Sequence, residues 1–243
     1  MTGVPLGRGP SPWEPPPDRT ARWGIADAAA GFVVALVISV VVANVWVAVT
    51  GERDVTLGLT VVTLVAQWTG LVGAVLLASR RKGTGDLADD FGLRVEGRDV
   101  GPGIVAGVVS QLVLIPLLYL PFDLLGADLD VSEKARETTD LGQGPGLFVL
   151  ALFIVIGAPV VEELFFRGLL QRAVDRRYGA RWAVGVSSVA FGVTHFQPVQ
   201  LLGLVAFGIV LAVLAQRAGR LGPALIAHVA FNATSVAALV AAR

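Results

Sequence analysis

An all-α, polytopic bundle of about seven membrane-spanning helices is the fold class the sequence predicts, on three observations. Hydrophobic residues make up 54% of the chain and charged residues only 16%, where a soluble domain carries about 25% charged residues. The apolar residues fall in runs of about 20, the length needed to cross a bilayer core, separated by short polar breaks. Lysine and arginine cluster in alternate breaks. A length of 243 residues accommodates six to eight such spans. The net charge of zero gives no electrostatic footprint for nucleic acid. With no cysteine in the chain, disulfides, a thiolate nucleophile and Cys-ligated metal are excluded.

Taken in order, residues 1–22 hold six of the thirteen prolines and read as a disordered, cytoplasmic Pro-rich tail, a plain tether rather than a docking motif. Span one is expected over 24–49, with Trp23 as an interfacial anchor and Asp27 as a cap. Span two is expected over 55–79 and ends on Arg80-Arg81-Lys82. The following loop contains Gly83-Thr84-Gly85-Asp86, the Gly-x-Gly-Asp pattern of intramembrane aspartyl proteases. That chemistry needs two facing aspartates inside the membrane. Here the aspartate sits in a basic loop and no Tyr-Asp partner occurs, so the match is rejected. Span three (100–121) carries a kinking Pro116. The acidic loop 122–146 is expected to hold a short surface helix near 131–138. Span four covers 147–167, with Pro159 freeing a backbone carbonyl toward a cavity. Spans five, six and seven are expected over 181–196, 198–216 and 220–241.

Seven spans put fifteen of the nineteen basic residues on one side, leaving only Arg53, Lys134, Arg136 and Arg243 on the other. The positive-inside rule then predicts a cytoplasmic N-terminus and an external C-terminus. The Ala/Val/Gly/Arg-rich composition points to a bacterial chain from a high-GC genome, resident in the plasma membrane.

The chemistry concentrates at Glu162-Glu163. One ionised carboxylate in a bilayer core costs roughly 2.5–3.5 kcal/mol on insertion scales, and two side by side disfavour ionisation of both. Such groups are functional candidates by default. The only two histidines, His195 and His228, also fall in apolar segments. Glu163 with Arg167, Phe191 with His195, and His228 with Asn232 are each spaced i,i+4, so each pair shares a helix face. At about 1.5 Å per residue, His195, His228 and Glu162 lie roughly 21, 12 and 15 Å from their flanking basic residues, close enough to share one cavity. Taken singly, each has a plainer reading. An intramembrane His or Asn is usually a helix–helix hydrogen-bonder, and Arg167 alone would be a positive-inside anchor. Their conjunction outweighs these readings. Ser187 and Ser188 with His228 suggest a Ser-His dyad, but no Gly-x-Ser-x-Gly supports it, and small residues in span five are explained by helix packing.

Glu162-Glu163-x-x-x-Arg167, Phe191-x-x-x-His195 and His228-x-x-x-Asn232 resemble, in order, the three signature motifs of the CPBP family of intramembrane proteases. That family includes the type II CAAX prenyl endopeptidases and the Abi proteins. The resemblance covers about 150–235 and makes 147–243 the catalytic region, with 23–146 as N-terminal helices and loops. It implies that Glu162 activates water as general base and that His195 orients that water. His228 and Asn232 would stabilise the tetrahedral oxyanion. Glu163 would act with Arg167 as a supporting ion pair. Glu162, His195 and His228 could also ligate zinc. No His-Glu-x-x-His occurs, and the metal-free mechanism suits Asn232 better, so no cofactor is required. The implied substrate is a membrane-anchored or lipidated protein cut near the cytoplasmic leaflet, in CAAX-like processing, bacteriocin immunity or peptide maturation. A proton-coupled transporter would predict inverted repeats, which are not seen. A non-catalytic scaffold would have no need of the intact Glu/His/His/Asn set.

Overall fold

The computed structural model describes residues 21–127, 129–142 and 144–242. Among them the chain forms nine helices and no strand: α1 (Ile25–Thr50), α2 (Leu57–Lys82), α3 (Leu87–Phe91), α4 (Gly97–Leu124), α5 (Glu133–Asp140), α6 (Pro145–Tyr178), α7 (Ala180–Val193), α8 (Leu201–Ala218) and α9 (Gly222–Ala241). Six of these are long and apolar enough to cross a membrane, and α7 is a shorter apolar helix. The protein is an all-α integral membrane bundle.

Lipid is as apolar as leucine, so membrane helices associate by close packing rather than by hydrophobic exclusion. Small residues mark the contacts. A Cβ on Gly70 of α2 would collide with the Ala35 backbone of α1, and one on Gly107 of α4 would collide with the Ala227 carbonyl of α9. Both ends of α2 are set locally. Thr56 caps its N-terminus by accepting the Leu59 N–H at 3.2 Å. Arg80, Arg81 and Lys82 occupy its last turn, where the helix carbonyls favour cations. That is why the helix runs three residues beyond the expected end at 79.

The connections fall on two faces. One carries residues 83–96, Gly179 and 219–221; the other carries 51–56, 125–144 and 194–200. The first face is sealed by a polar and aromatic plug. Asp90 is buried and accepts from Ser79 Oγ at 2.5 Å and from the Thr84 N–H at 2.9 Å. Arg172 reaches back from α6 to the Asp90 carbonyl at 2.9 Å and the Gly219 carbonyl at 3.2 Å. Trp23 packs on Phe91 with ring centroids 4.8 Å apart, under the Arg176 guanidinium. Trp23 is only 3% exposed, so it belongs to this plug and is not the interfacial anchor expected of it. The tail expected over 1–22 lies outside the described residues up to residue 20. Its last residue, Arg22, is already docked, donating its N–H to the Lys82 carbonyl at 2.6 Å. Asp27 accepts the Gly24 N–H and pairs with Lys82 at 2.6 Å. Asp86 caps α3 at the Ala88 N–H, a structural role that leaves nothing of the aspartyl-protease pattern.

The close approach of α4 and α9 gives a testable consequence. Gly107→Val should destabilise the protein by about 1–3 kcal/mol through overpacking. Gly101→Val, where no atom lies within 4 Å of the added Cβ, should leave thermal unfolding in detergent unchanged.

Candidate active site

Helix α6 does not keep α-helical register. It is π-helical over Phe153–Gly157 and again over Glu163–Gln171, and such segments are rare and concentrate at functional sites. In the first, the Ala158 N–H bonds the Phe153 carbonyl. The next bond in that register would run from residue 159 to the Ile154 carbonyl, but Pro159 has no N–H to donate. The Ile154 carbonyl is therefore free, and Asn232 Nδ2 of α9 donates to it at 2.8 Å. The freed carbonyl expected from Pro159 is present, and it positions Asn232.

In the second π segment every residue is buried, as is every residue on to Asp175. Glu163 and Arg167 form an ion pair at 2.9 Å, with side chains 1% and 0% exposed. The same Glu163 oxygen, Oε1, lies 2.9 Å from His228 Nδ1. Because that oxygen already accepts from Arg167 Nη1, Glu163 is the acceptor and His228 Nδ1 carries the proton. Arg167 also donates from Nη2 to the Gly208 carbonyl of α8 at 3.2 Å, and its guanidinium sits 4.5 Å from the Phe191 ring centroid. Arg167 thus lies in the protein interior and not at the membrane surface.

Glu162, the preceding acid, points instead into a cavity of about 370 Å³. His195, His228, Asn232, Phe191 and Phe207 line the same cavity. Glu162 Oε2 is 3.7 Å from His228 Nε2. His195 is turned by the chain reversal at Phe196, whose φ of 54° is left-handed, a rare conformation for a bulky residue. Its Nδ1 donates to the Phe191 carbonyl at 2.7 Å, leaving Nε2 as an acceptor. Phe191 packs edge-on against both imidazoles, with centroids 4.7 Å from His195 and 5.6 Å from His228. All the residues singled out from the sequence, Glu162, Glu163, Arg167, Phe191, His195, His228 and Asn232, are therefore brought together. Among the described residues, however, no three His, Cys, Asp or Glu side chains converge as a metal-binding group. That includes Glu162, His195 and His228.

Two contributors were not singled out. Gln171 donates to the Ala212 carbonyl at 3.0 Å and to Gln216 at 2.9 Å, extending the polar line below Arg167. Its spacing, four residues past Arg167 and eight past Glu163, was a usable signal. The other is α5, which brings Lys134, Ala135 and Thr138 to the cavity wall. Ser187 and Ser188 are engaged elsewhere: Ser188 Oγ donates to the Val184 carbonyl at 2.7 Å.

Fold and site together define a polytopic membrane protein with a glutamate and two histidines gathered in a cavity within its helices. Residues 144–234 match the family described as type II CAAX prenyl endopeptidase Rce1-like. Over 101 residues the chain is 31% identical to a protein of Bacillus subtilis (strain 168) named "Putative membrane peptidase YdiL", a stretch that covers 42% of this chain and 41% of that protein. No solved structure matches the chain. Through this segment and its three motifs, the chain is similar to the CPBP family, and it spans less than half the length of the curated relative it matches.

Removing Arg167 should strand the Glu163 charge in the interior. Arg167→Met should cost about 3–5 kcal/mol, as for other broken buried pairs, read as a lowered unfolding temperature in detergent. Arg167→Met combined with Glu163→Leu should recover most of that loss.

Proposed function

We propose that this protein is an intramembrane endopeptidase that cuts membrane-anchored or lipidated protein substrates, with Glu162 as general base. The observation that carries the reading is the division of labour between adjacent carboxylates. Glu163 is committed to Arg167 and His228, while Glu162 faces the cavity beside the Nε2 of that same histidine.

In this mechanism Glu162 takes a proton from a water molecule that His195 Nε2 orients by accepting its second hydrogen. The hydroxide adds to the scissile carbonyl carbon, and the carbonyl π pair moves to oxygen. Asn232, through its second Nδ2 hydrogen, and His228 Nε2 donate to that oxyanion. For Nε2 to donate, the ring must carry both protons, because Nδ1–H is already given to Glu163. With both carboxylates ionised, an imidazolium at His228 brings the Glu162, Glu163, Arg167 and His228 cluster to zero net charge, the condition a low-dielectric site favours. Collapse of the intermediate breaks the C–N bond, and the Glu162 carboxyl returns its proton to the departing amine. The description of the matched family and the name of the Bacillus relative support peptide-bond hydrolysis and a lipid-attached substrate.

Purified protein should cleave a library of membrane-anchored peptides, and exhaustive chelation should leave that cleavage intact. Glu162→Gln should lower the rate by about 10²–10⁴-fold, the usual contribution of a general base, and Asn232→Ala by about 10²–10³-fold, as for loss of one oxyanion donor. Unimpaired cleavage by Glu162→Gln would overturn the assignment, and loss on chelation restored by zinc would turn the acid–base groups into metal ligands.

A further inference from the structure

The cavity that holds Glu162 extends toward one face of the bundle. Along α2 it is lined by Thr60, Leu64 and Trp68, in the half next to the connection 51–56. Along α9 it is lined from His228 outward to Leu239, near the end of that helix. Lys134 and Thr138 of α5, with Gln197 and Gln200 of the connection before α8, also contribute to its wall. All these outer positions belong to the face carrying 51–56, 125–144 and 194–200. Toward the other face the cavity meets the buried run Glu163–Asp175, then Phe91, Trp23 and the Arg172 hydrogen bonds. That end is closed.

The two faces differ in charge. On the cavity face the described residues carry three basic side chains, Arg53, Lys134 and Arg136. On the sealed face Arg80, Arg81 and Lys82 end α2, Arg176 and Arg177 end α6, and Arg217 and Arg220 flank the turn between α8 and α9. Short loops rich in lysine and arginine stay in the cytoplasm.

From these two observations we propose that the candidate active site is entered from the extracytoplasmic side. Its substrates are then peptide segments of membrane-attached proteins exposed at the outer leaflet, not chain ends lying on the cytoplasmic leaflet. The sidedness rests on geometry and charge; the substrate class rests in addition on the protease reading. A cytoplasmic N-terminus and cleavage at the cytoplasmic leaflet, both expected from the sequence, are incompatible in this fold, because the site opens on the face away from the N-terminus.

The absence of cysteine from the chain makes the test direct, since each single-cysteine variant has one thiol. Glu137→Cys on the exposed side of α5, Ser235→Cys inside the cavity and Ala180→Cys on the sealed face would be expressed in bacterial cells and treated with a membrane-impermeant maleimide. Glu137→Cys and Ser235→Cys should label in intact cells, and Ala180→Cys only in inverted vesicles. The reverse pattern, or labelling of Ser235→Cys from the sealed face alone, would overturn the proposal, as would equal labelling from both sides. Labelling needs no activity, so an inactive enzyme would sink the protease reading without touching sidedness. The membrane-anchored peptide library should in turn be cleaved when added to right-side-out vesicles, with Glu162→Gln as the blank. Cleavage confined to inverted vesicles would overturn the proposal and leave the protease reading standing.

Discussion

The buried ion pair between Arg167 and Glu163 is the constraint on which the rest of the site depends. Neither charge is tolerable alone at this depth, and a pair broken in the interior costs about 3–5 kcal/mol. Both residues must therefore face the same interior space, which fixes the rotation of α6. Arg167 then needs further acceptors and takes the Gly208 carbonyl of α8. The backbones come close enough there because a Cβ on Gly208 would already press on Ser188 of α7 at 3.1 Å. Glu163 in turn holds His228 of α9. One ion pair thus sets the relative positions of four helices. It also leaves Glu162, one residue earlier, as the acid turned into the cavity.

Much of the fold was legible from hydropathy alone, because lipid imposes length and polarity on each span. Apart from the end of α6, the spans lie within a few residues of where the apolar runs and their polar breaks place them, and the short surface helix of the 122–146 loop is found at Glu133–Asp140, whereas α3 falls in a stretch that reads as loop. Departures occur where a neighbour, not lipid, decides. Helix α6 continues to Tyr178, with its polar residues Gln171, Arg172 and Asp175 buried against neighbouring segments. Trp23 is buried because Phe91 and Arg176 offer it a better site than the membrane interface.

The motif residues were also legible, since i,i+4 spacing reports which groups share a helix face. Spacing reports nothing about partners across helices. Glu163 and His228 are 65 residues apart, and each already had a local partner, Arg167 and Asn232. Their mutual hydrogen bond leaves no periodic trace. The π-helical register was equally silent apart from Pro159, and the closed end of the cavity depends on contacts among Trp23, Phe91, Arg172 and Gly219 that no single segment reveals. Charge bias gave the orientation of the chain, but only the three-dimensional path shows which face the cavity meets.

The central claim is that Glu163 orients His228 by accepting its Nδ1 proton, so that Nε2 is presented to Glu162 and the cavity. With two histidines in the chain, ¹⁵N-histidine labelling gives only two imidazoles to assign, and ring-nitrogen shifts report directly which atom is protonated. The account predicts a protonated Nδ1 on both rings, with the His228 signal displaced in Glu163→Gln and the His195 signal unmoved. A His228 whose Nδ1 bears no proton in the unsubstituted protein would contradict it.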